Sequence, residues 1–561
     1  MSLWILLLLP LVTAGVIGLA GERNARAIAL GGSLATLAWA VMIALQFPHW
    51  TADQWLYWPG PEQVEDQFPV LPGIGLRLIL GVDSVSLLLV LLNVFLMPAC
   101  VLGSWTAITE RRREFYIWLM VLATCISGVF VARDAISFYT FFEASLVPGF
   151  FMLAIYGGPE RRQASFKFFI YTFVGSLFML LALAYVAWQY AEKNGEWSFA
   201  ISDLTSFSPT LSATEQGWIL LALLAGLAVK VPLFPLHTWL PLAHNQAPTA
   251  GSVNFAAVIL KLGLYGLYVF VLPMVPLAVV EWGPTIGILA VVGIIYAALI
   301  CWVQTDVKKL IAYSSVSHMG FAVLGLIALN PIGLQGSVYY MLSHGFATGG
   351  LFLCIGMMYE RYHTKDLREI GGLARAMPIW SFLFITLVFA SVALPGTNGF
   401  VSEFLCLIGT FVAVPGAQSG YPGVLGPWFA LFAATGMVLG AMYLLYMTGK
   451  LCFGPLREPA DHHDHEELPK DLNIREITAV APIVIACLVF GFVPWPILHA
   501  VEPVAETVLK PYPEIVNSWA ERQATDASSS VATTPEEIPG GIPGNVVLVS
   551  DPANPDHQGS R

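Results

Sequence analysis

The sequence predicts an all-α polytopic membrane protein of about fourteen transmembrane helices, with two inverted five-helix repeats that each contain a broken helix. Three observations carry that prediction. Of the 561 residues 57% are hydrophobic and only 11% charged, against about 25% charged in a soluble domain. Apolar runs of about 20 residues, the length that crosses a bilayer, recur from end to end. Lys and Arg crowd into alternate loops, as they do on the inner side of membrane proteins.

The spans fall near 2–20, 27–46, 79–103, 115–132, 135–156, 165–190, 217–238, 251–273, 284–303, 307–329, 335–359, 378–413, 427–452 and 476–494. The first follows no basic n-region, and its positive charges, Arg23 and Arg26, come after the apolar run. It therefore reads as an uncleaved span with its N-terminus outside. Residues 1–114 then form three N-terminal spans with an acidic, aromatic outer loop between Phe47 and Leu78, which reads as an ordered cap. Residues 115–273 make the first five-span unit and 274–452 the second. An odd number of spans per unit inverts one copy relative to the other. The first unit is interrupted at "KVPLFP" and the second at "LPGTNGF", and matching breaks in inverted copies point to a transport site. An inner loop, the last span and an outer segment occupy 453–510. The segment 511–561 is rich in Pro, Ser, Thr, Glu and Gly and reads as a disordered outer tail. Most of the 26 Lys and Arg fall on the inner side of this arrangement, which leaves both termini outside.

Several function classes find no support. No basic block suggests nucleic-acid binding. The seven cysteines form no CxxC pair, which argues against an iron–sulfur cluster, a c-type haem or a disulfide framework in this chain. There is no P-loop pattern. The run "HHDHEE" at His462–Glu467 carries metal-ligating side chains without a fixed spacing and reads as a solvated inner loop.

The informative residues are the ionisable ones inside the spans. Glu143, Lys230, Lys261 and Glu403 each lie in apolar sequence, as do His318 and His344. A charge at the bilayer centre costs about 2.5–3.5 kcal/mol on insertion scales, so four unpaired would cost roughly 10 kcal/mol. A structural ion pair is a weak reason to keep such groups, because apolar replacements often stabilise. A lone membrane histidine can equally be an interhelical hydrogen bond, a reading that applies most to His237, near the membrane interface. Helical spacing groups the polar residues: Tyr340, His344 and Thr348; Ser314 and His318; Tyr139, Thr140 and Glu143; Asn254, Lys261 and Tyr265. Pro232 and Pro235 break the span beside Lys230 and free backbone polar groups, tolerable where the break lines a hydrated cavity. Glu143 is the carboxylate expected near Lys230.

The motifs "FYTFFEASLVPGFF", "AVKVPLFPLHTWLPLAHNQAPTAGSV", "ILKLGLYGL", "DVKKLIAYSSVSHMGF", "SHGFATGGLFL" and "LPGTNGFVSEFL" lie within about 138–407. On them the chain resembles the antiporter-like subunits of respiratory complex I, the proton-pumping NADH–quinone oxidoreductase. Glutamate at position 403 favours the subunit M branch, since subunits L and N commonly carry lysine there. The resemblance implies that Glu143 is a modulating carboxylate paired with Lys230 and that Lys261 is the central-axis lysine. It implies that His318 and His344 extend the polar chain and that Glu403 is the terminal protonatable group, with protons moving through two half-channels driven by quinone reduction elsewhere. It implies a multi-pass protein of a bacterial cytoplasmic (inner) membrane, in contact with lipids and with other membrane subunits, especially L and N. No cofactor is implied in this chain; flavin, iron–sulfur clusters and quinone would belong to partner subunits. The alternative that shares these motifs is a subunit of a multisubunit Na+/H+ antiporter or of a membrane-bound hydrogenase.

Overall fold

The computed structural model describes residues 3–47, 68–71, 75–417, 420–459 and 470–532. Among them twelve helices are long and apolar enough to cross a membrane, and three shorter apolar helices accompany them. The chain begins with α1 (Leu3–Leu19), α2 (Ala25–Gln46), α3 (Ser84–Gly103) and α4 (Arg112–Val131). Two short strands, β1 (Phe68–Leu71) and β2 (Leu76–Leu78), pair antiparallel with Phe68 opposite Leu78, a small departure from an all-helical chain. The rest of the expected outer cap lies outside the described residues, as does "HHDHEE".

The next span is two helices, α5 (Ala135–Ala144) and α6 (Leu146–Tyr156), with an irregularity at Ser145. Then come α7 (Arg161–Asn194), the short α8 (Ile201–Phe207), α9 (Ala213–Lys230) and α10 (Leu240–Gln246). The prolines end α9 at Lys230, well before the expected boundary at 238, because Pro232 and Pro235 supply no N–H to continue the ladder. The following span, Thr249–Met274, is fully buried. Its α-helical pieces α11 (Thr249–Asn254), α12 (Leu260–Gly266) and α13 (Leu272–Met274) are separated by π-helical turns at Phe255–Ile259 and Leu267–Val271.

The second half comprises α14 (Pro276–Val303), α15 (Val307–Ile327), α16 (Pro331–Tyr362) and α17 (Leu373–Ala376). The expected broken span follows as α18 (Pro378–Ser391) and α19 (Asn398–Phe411), and then α20 (Pro427–Cys452). After α21 (Ile474–Phe492) the chain forms α22 (Trp495–Leu509) and α23 (Tyr512–Ala532). The composition predicts a disordered tail from 511, yet the chain is helical over Tyr512–Ala532. Two apolar residues in the first turns explain the difference: Tyr512 is buried, its hydroxyl donating to the Leu272 carbonyl at 2.7 Å, and Val516 is buried with it. Residues 533–561 lie outside the described residues.

One local arrangement occurs twice. Asp134 caps α5, its carboxylate accepting from the amides of Ile136 and Ser137, and its backbone bridges Ala200 after α7. Asp306 caps α15, accepting from Lys308 and Lys309, and bridges Asp366 after α16. The flanking backbone bonds match too: Ile201 N to Arg133 O and Ala135 N to Phe199 O in the first, Leu367 N to Thr305 O and Val307 N to Lys365 O in the second.

The halves are tied together on one side. Lys308 donates to the Ala247 carbonyl at 2.6 Å, and Lys365 to the Asn245 carbonyl at 3.1 Å. Both cations thus serve carbonyls at the C-terminal end of α10, where the helix dipole favours positive charge. Nearby, Arg361 of α16 grips Glu476 of α21 through two bonds of 3.2 and 2.7 Å.

Glycines let the second broken span approach α16. A methyl group on Gly336 would lie 2.6 Å from the Cys406 amide nitrogen, and one on Gly409 would lie 2.4 Å from Gly333 Cα. Backbone cannot yield as a flexible side chain does, so Gly336→Val should destabilise by about 1–3 kcal/mol or more. The thermal melt of the purified assembly should therefore fall for Gly336→Val and stay native for Gly217→Val, whose added carbon meets nothing within 4 Å.

Candidate functional site

The ionisable residues of the spans fall into two buried groups, one around Lys230 and one around Lys261. Lys230 is the last residue of α9 and is completely buried. Its ammonium donates to the Phe142 carbonyl at 3.4 Å and to Ser145 Oγ at 3.3 Å, and lies 4.1 Å from the centre of the Phe142 ring. The break beside it is satisfied from within: the Trp239 indole donates to the Val229 carbonyl at 2.9 Å, and Leu233 N bonds Ala228 O. Pro232 is buried in that turn and Pro235 is exposed.

Glu143 lies close enough to Lys230 for the two charges to act on each other, but among the described residues they form no direct ion pair. Successive helical residues point about 100° apart. Phe142 meets Lys230, and Glu143, the next residue round α5, is half-buried and faces Ser176 of α7. One of its carboxylate oxygens, Oε1, has no hydrogen-bond partner. The helix interruptions at Ser145 and after Lys230 thus bring the lysine to a hydroxyl, a carbonyl and an aromatic face, with the carboxylate near.

Lys261 sits on α12, between the two π turns, and is completely buried. It donates to the Ala256 carbonyl at 2.6 Å and meets His344 Nδ1 at 2.7 Å. Ala256 belongs to the π turn, whose i→i+5 pattern leaves carbonyls open to other donors. The His318 and His344 rings lie 5.8 Å apart, and His318 Nδ1 bonds the Tyr340 hydroxyl at 2.7 Å. Beyond them a cavity of about 10 Å³, the size of one water, is lined by His318, Tyr340, His344, Thr348, Ser391 and Glu403. Glu403 is 3% exposed, on α19 just after the second break. Ser402 beside it bonds Ser343 of α16 at 2.8 Å. The Nε2 atoms of both histidines have no protein hydrogen-bond partner.

Lys261, His344, His318 and Glu403 are therefore brought together, and Lys230 forms a separate group with α5. Among the described residues no hydrogen bond joins Lys230 to Lys261. His237 stands apart, packed against Phe234 and Tyr296 at 5.8 and 5.5 Å between ring centroids. The stripe Asn254–Lys261–Tyr265 does not hold either. Asn254 turns to Cys100 of α3, because the intervening π turn rotates it away from Lys261.

Two residues escape sequence reasoning. Ser145 shows only as a small polar residue in an apolar run. His244, on α10, is completely buried with no hydrogen-bond partner at either ring nitrogen. Its ring stacks on Phe352 at 5.1 Å. Its signal was the motif "LAHNQAPT", but the break before it hides which way it points.

The fold and these buried charged residues define a multi-pass membrane subunit of the antiporter-like class. The chain belongs to the NADH:quinone oxidoreductase/Mrp antiporter membrane family, whose model matches residues 132–420. Within the family it falls among the M subunits of NADH-quinone oxidoreductase, the antiporter-like subunits of complex I. It is 38% identical to subunit M of Rhodobacter capsulatus over 532 residues, covering 93% of this chain and 98% of the relative. It is 36% identical to NADH-ubiquinone oxidoreductase chain 4 of Marchantia polymorpha, covering 87% and 93%. Among solved structures, a chain of Thermus thermophilus respiratory complex I with bound NADH is 30% identical, with a TM-score of 0.77 and coverage of 91% and 99%. A chain of the Mrp complex from Dietzia sp. DQ12-45-1b shares the fold at a TM-score of 0.74 and 18% identity, covering 91% and 98%. The protein is thus a multi-pass membrane subunit of NADH-quinone oxidoreductase, one part of a larger complex.

Ser145→Ala removes one of the oxygens that hold the Lys230 ammonium, and hydrogen bonds to charged groups contribute about 1.5–3 kcal/mol. Proton pumping per complex should fall severalfold in this variant and recover in Ser145→Thr, as read by dye quenching in inverted vesicles.

Proposed function

We propose that this subunit carries protons across the membrane along the row Glu143, Lys230, Lys261, His344, His318 and Glu403. The observation that carries the reading is the unbroken contact from Lys261 through His344 to the one-water cavity beside Glu403. The Lys261 ammonium passes its proton to His344 Nδ1 and is left as a neutral amine. A proton leaving His344 at Nε2 crosses the single water to the Glu403 carboxylate. His318 and Tyr340 border the same water and orient it. At the other end Lys230 takes up a proton from water admitted at the proline break and delivers it, through water between the two groups, to the neutral Lys261 amine. Glu143 turns toward Lys230 to stabilise its charged form and away to release it.

The architecture proposed is fourteen spans: the twelve long helices, α1, and α18 with α19 as one broken span. Two inverted five-span copies, beginning at α4 and α14, supply one half-channel each. The reading is supported by the twin caps at Asp134 and Asp306, which occupy matching places in the two copies. It is also supported by a break at a matching place in each, after Lys230 and after Ser391. The lysine and arginine distribution puts the Asp306 cap inside, the Asp134 cap outside and both termini outside.

Quinone reduction in other subunits drives the cycle, and flavin, iron–sulfur clusters and quinone reside there. The neighbours are the antiporter-like subunits L and N, and the exposed apolar faces of the spans meet them or lipid.

Lys230→Ala and Glu143→Ala should lower proton pumping and coupled quinone reduction by about tenfold or more, the scale expected when a proton-transfer group is removed. NADH oxidation by an artificial acceptor should persist, since that chemistry lies in other subunits. Near-normal pumping by both assembled variants would overturn the proposal. Glu403→Gln, which keeps shape and loses titration, should also depress pumping, and native pumping would remove Glu403 from the pathway.

A further inference from the structure

Three arginines converge on the short connection between α3 and α4. Arg26, near the start of α2, donates from Nη2 to the Ile108 carbonyl at 3.3 Å and lies 5.9 Å from the centre of the Trp105 ring. Arg112, which begins α4, donates from Nε to the same carbonyl at 3.2 Å. Arg475, near the start of α21, donates to Thr106 Oγ1 at 3.2 Å. Two carboxylates share the cluster, both engaged: Glu476 pairs with Arg475 and Arg361, and Glu360 accepts from the Thr106 hydroxyl. Among the described residues neither Arg26 nor Arg112 has an ion-pair partner, and Arg26 Nε has no hydrogen-bond partner. All three arginines are half-buried, so the surface of the membrane can reach them. Two guanidinium groups on one neutral carbonyl leave positive charge uncompensated, in the fork geometry that matches phosphate oxygens.

An apolar cavity continues from this cluster along the same helix faces. Helices α2 and α21 both pack against α3, and between them lies a cavity of about 500 Å³ whose fourteen lining side chains are all apolar. Leu37 and Val41 of α2, Phe95 of α3, and Pro482 and Ala486 of α21 form its walls, with Phe346 of α16 at its back. The Phe346 ring meets Phe95 at 5.5 Å and Phe490 at 5.8 Å between centroids. Leu37 lies eleven residues beyond Arg26, and Ala486 eleven beyond Arg475. Eleven helical residues return to within about 20° of the same face, about 16 Å along the axis. Half of a hydrocarbon core of about 30 Å is about 15 Å, so the cavity sits near the depth that a chain anchored at the arginines reaches. An all-apolar cavity holds no water. It also admits no partner helix: two turns of a helix about 10 Å across fill about 850 Å³.

We propose that these faces form a binding site for one anionic phospholipid, its phosphate held by Arg26 and Arg112 and one acyl chain laid between α2 and α21 into the cavity. Basic pockets between spans on the inner side of a membrane recognise such headgroups. The bound lipid joins α2, α4 and α21 at their inner ends and fills the space against Phe346 of the buried helix α16. The inner leaflet follows from the proposed orientation, whereas the contacts hold in either. Lipid binding is read without pumping, so this inference and the proton pathway stand or fall separately.

The test uses the intact complex in nanodiscs and a phosphatidylglycerol probe with a photoreactive diazirine near the end of one acyl chain. Crosslinks mapped by peptide mass spectrometry should fall on the cavity segments of α2, α3 and α21. A phosphatidylcholine probe with the same chain should label them about tenfold less, since each arginine contributes about fivefold to the attraction for an anionic headgroup. Arg26→Gln combined with Arg112→Gln should bring phosphatidylglycerol labelling down to the phosphatidylcholine level, and the matching pair of Lys substitutions should retain most of it. Ala486→Trp, which fills the cavity and leaves the arginines in place, should abolish labelling by both probes. If the double Gln chain fails to enter the complex, raising salt from about 50 to about 500 mM should lower the native phosphatidylglycerol signal by screening. Excess inorganic phosphate at constant ionic strength should leave that signal unchanged. Equal labelling by the two lipids, a signal indifferent to the Gln pair or to salt, or displacement by inorganic phosphate would each overturn the site. So would an absence of labelling by either lipid, which would mean that a neighbouring subunit covers this face.

Discussion

Hydrocarbon offers no hydrogen bonds, and the helix breaks within the described spans answer to that fact. A helix that stops in the membrane exposes carbonyls, and the first break recruits its own donors. Trp239 serves the carbonyl of Val229, and Lys308 and Lys365 serve the end of α10. The reverse also holds. Lys230 and Lys261 can be kept inside because bends and π turns release the carbonyls of Phe142 and Ala256 to receive them. Breaks and charges therefore occur together as mutual solutions, and removing either alone leaves the other unsatisfied.

On the proposed reading, the same economy suits these residues to moving protons rather than storing charge. The two buried lysines have few partners, and those in direct contact are neutral. Lys261 meets a carbonyl and an imidazole nitrogen, and Lys230 meets a carbonyl, a hydroxyl and a ring. A carboxylate in direct contact would hold the ammonium too firmly for release. Asp83 and Arg133 show the opposite design, with an ion pair, a serine and a tyrosine around a cation that never gives up its proton.

Much of this was legible in the chain because hydropathy and charge are strong signals in a membrane. The spans stand out as apolar runs, and Lys230, Lys261 and Glu403 stand out because each interrupts one. The two breaks were marked by proline and glycine. What stayed hidden depends on rotation about a helix axis. The π turns on either side of α12 add a residue per turn, so Asn254 and Lys261, a regular stripe on paper, face α3 and α16. The kink at Ser145 and the direction of Glu143 escaped for the same reason. Arg133 looked like an ordinary loop charge because nothing local reveals its partners Asp83, Ser86 and Tyr265, which come from elsewhere in the chain. The helix Tyr512–Ala532 was missed because polar composition masks two well-placed apolar residues, Tyr512 and Val516.

Lys308 and Lys365 lie in the second half of the chain yet finish a broken segment of the first. A chain cut between α13 and α14 would leave the Ala247 and Asn245 carbonyls without their cationic donors, so the two halves are complementary parts of one structure.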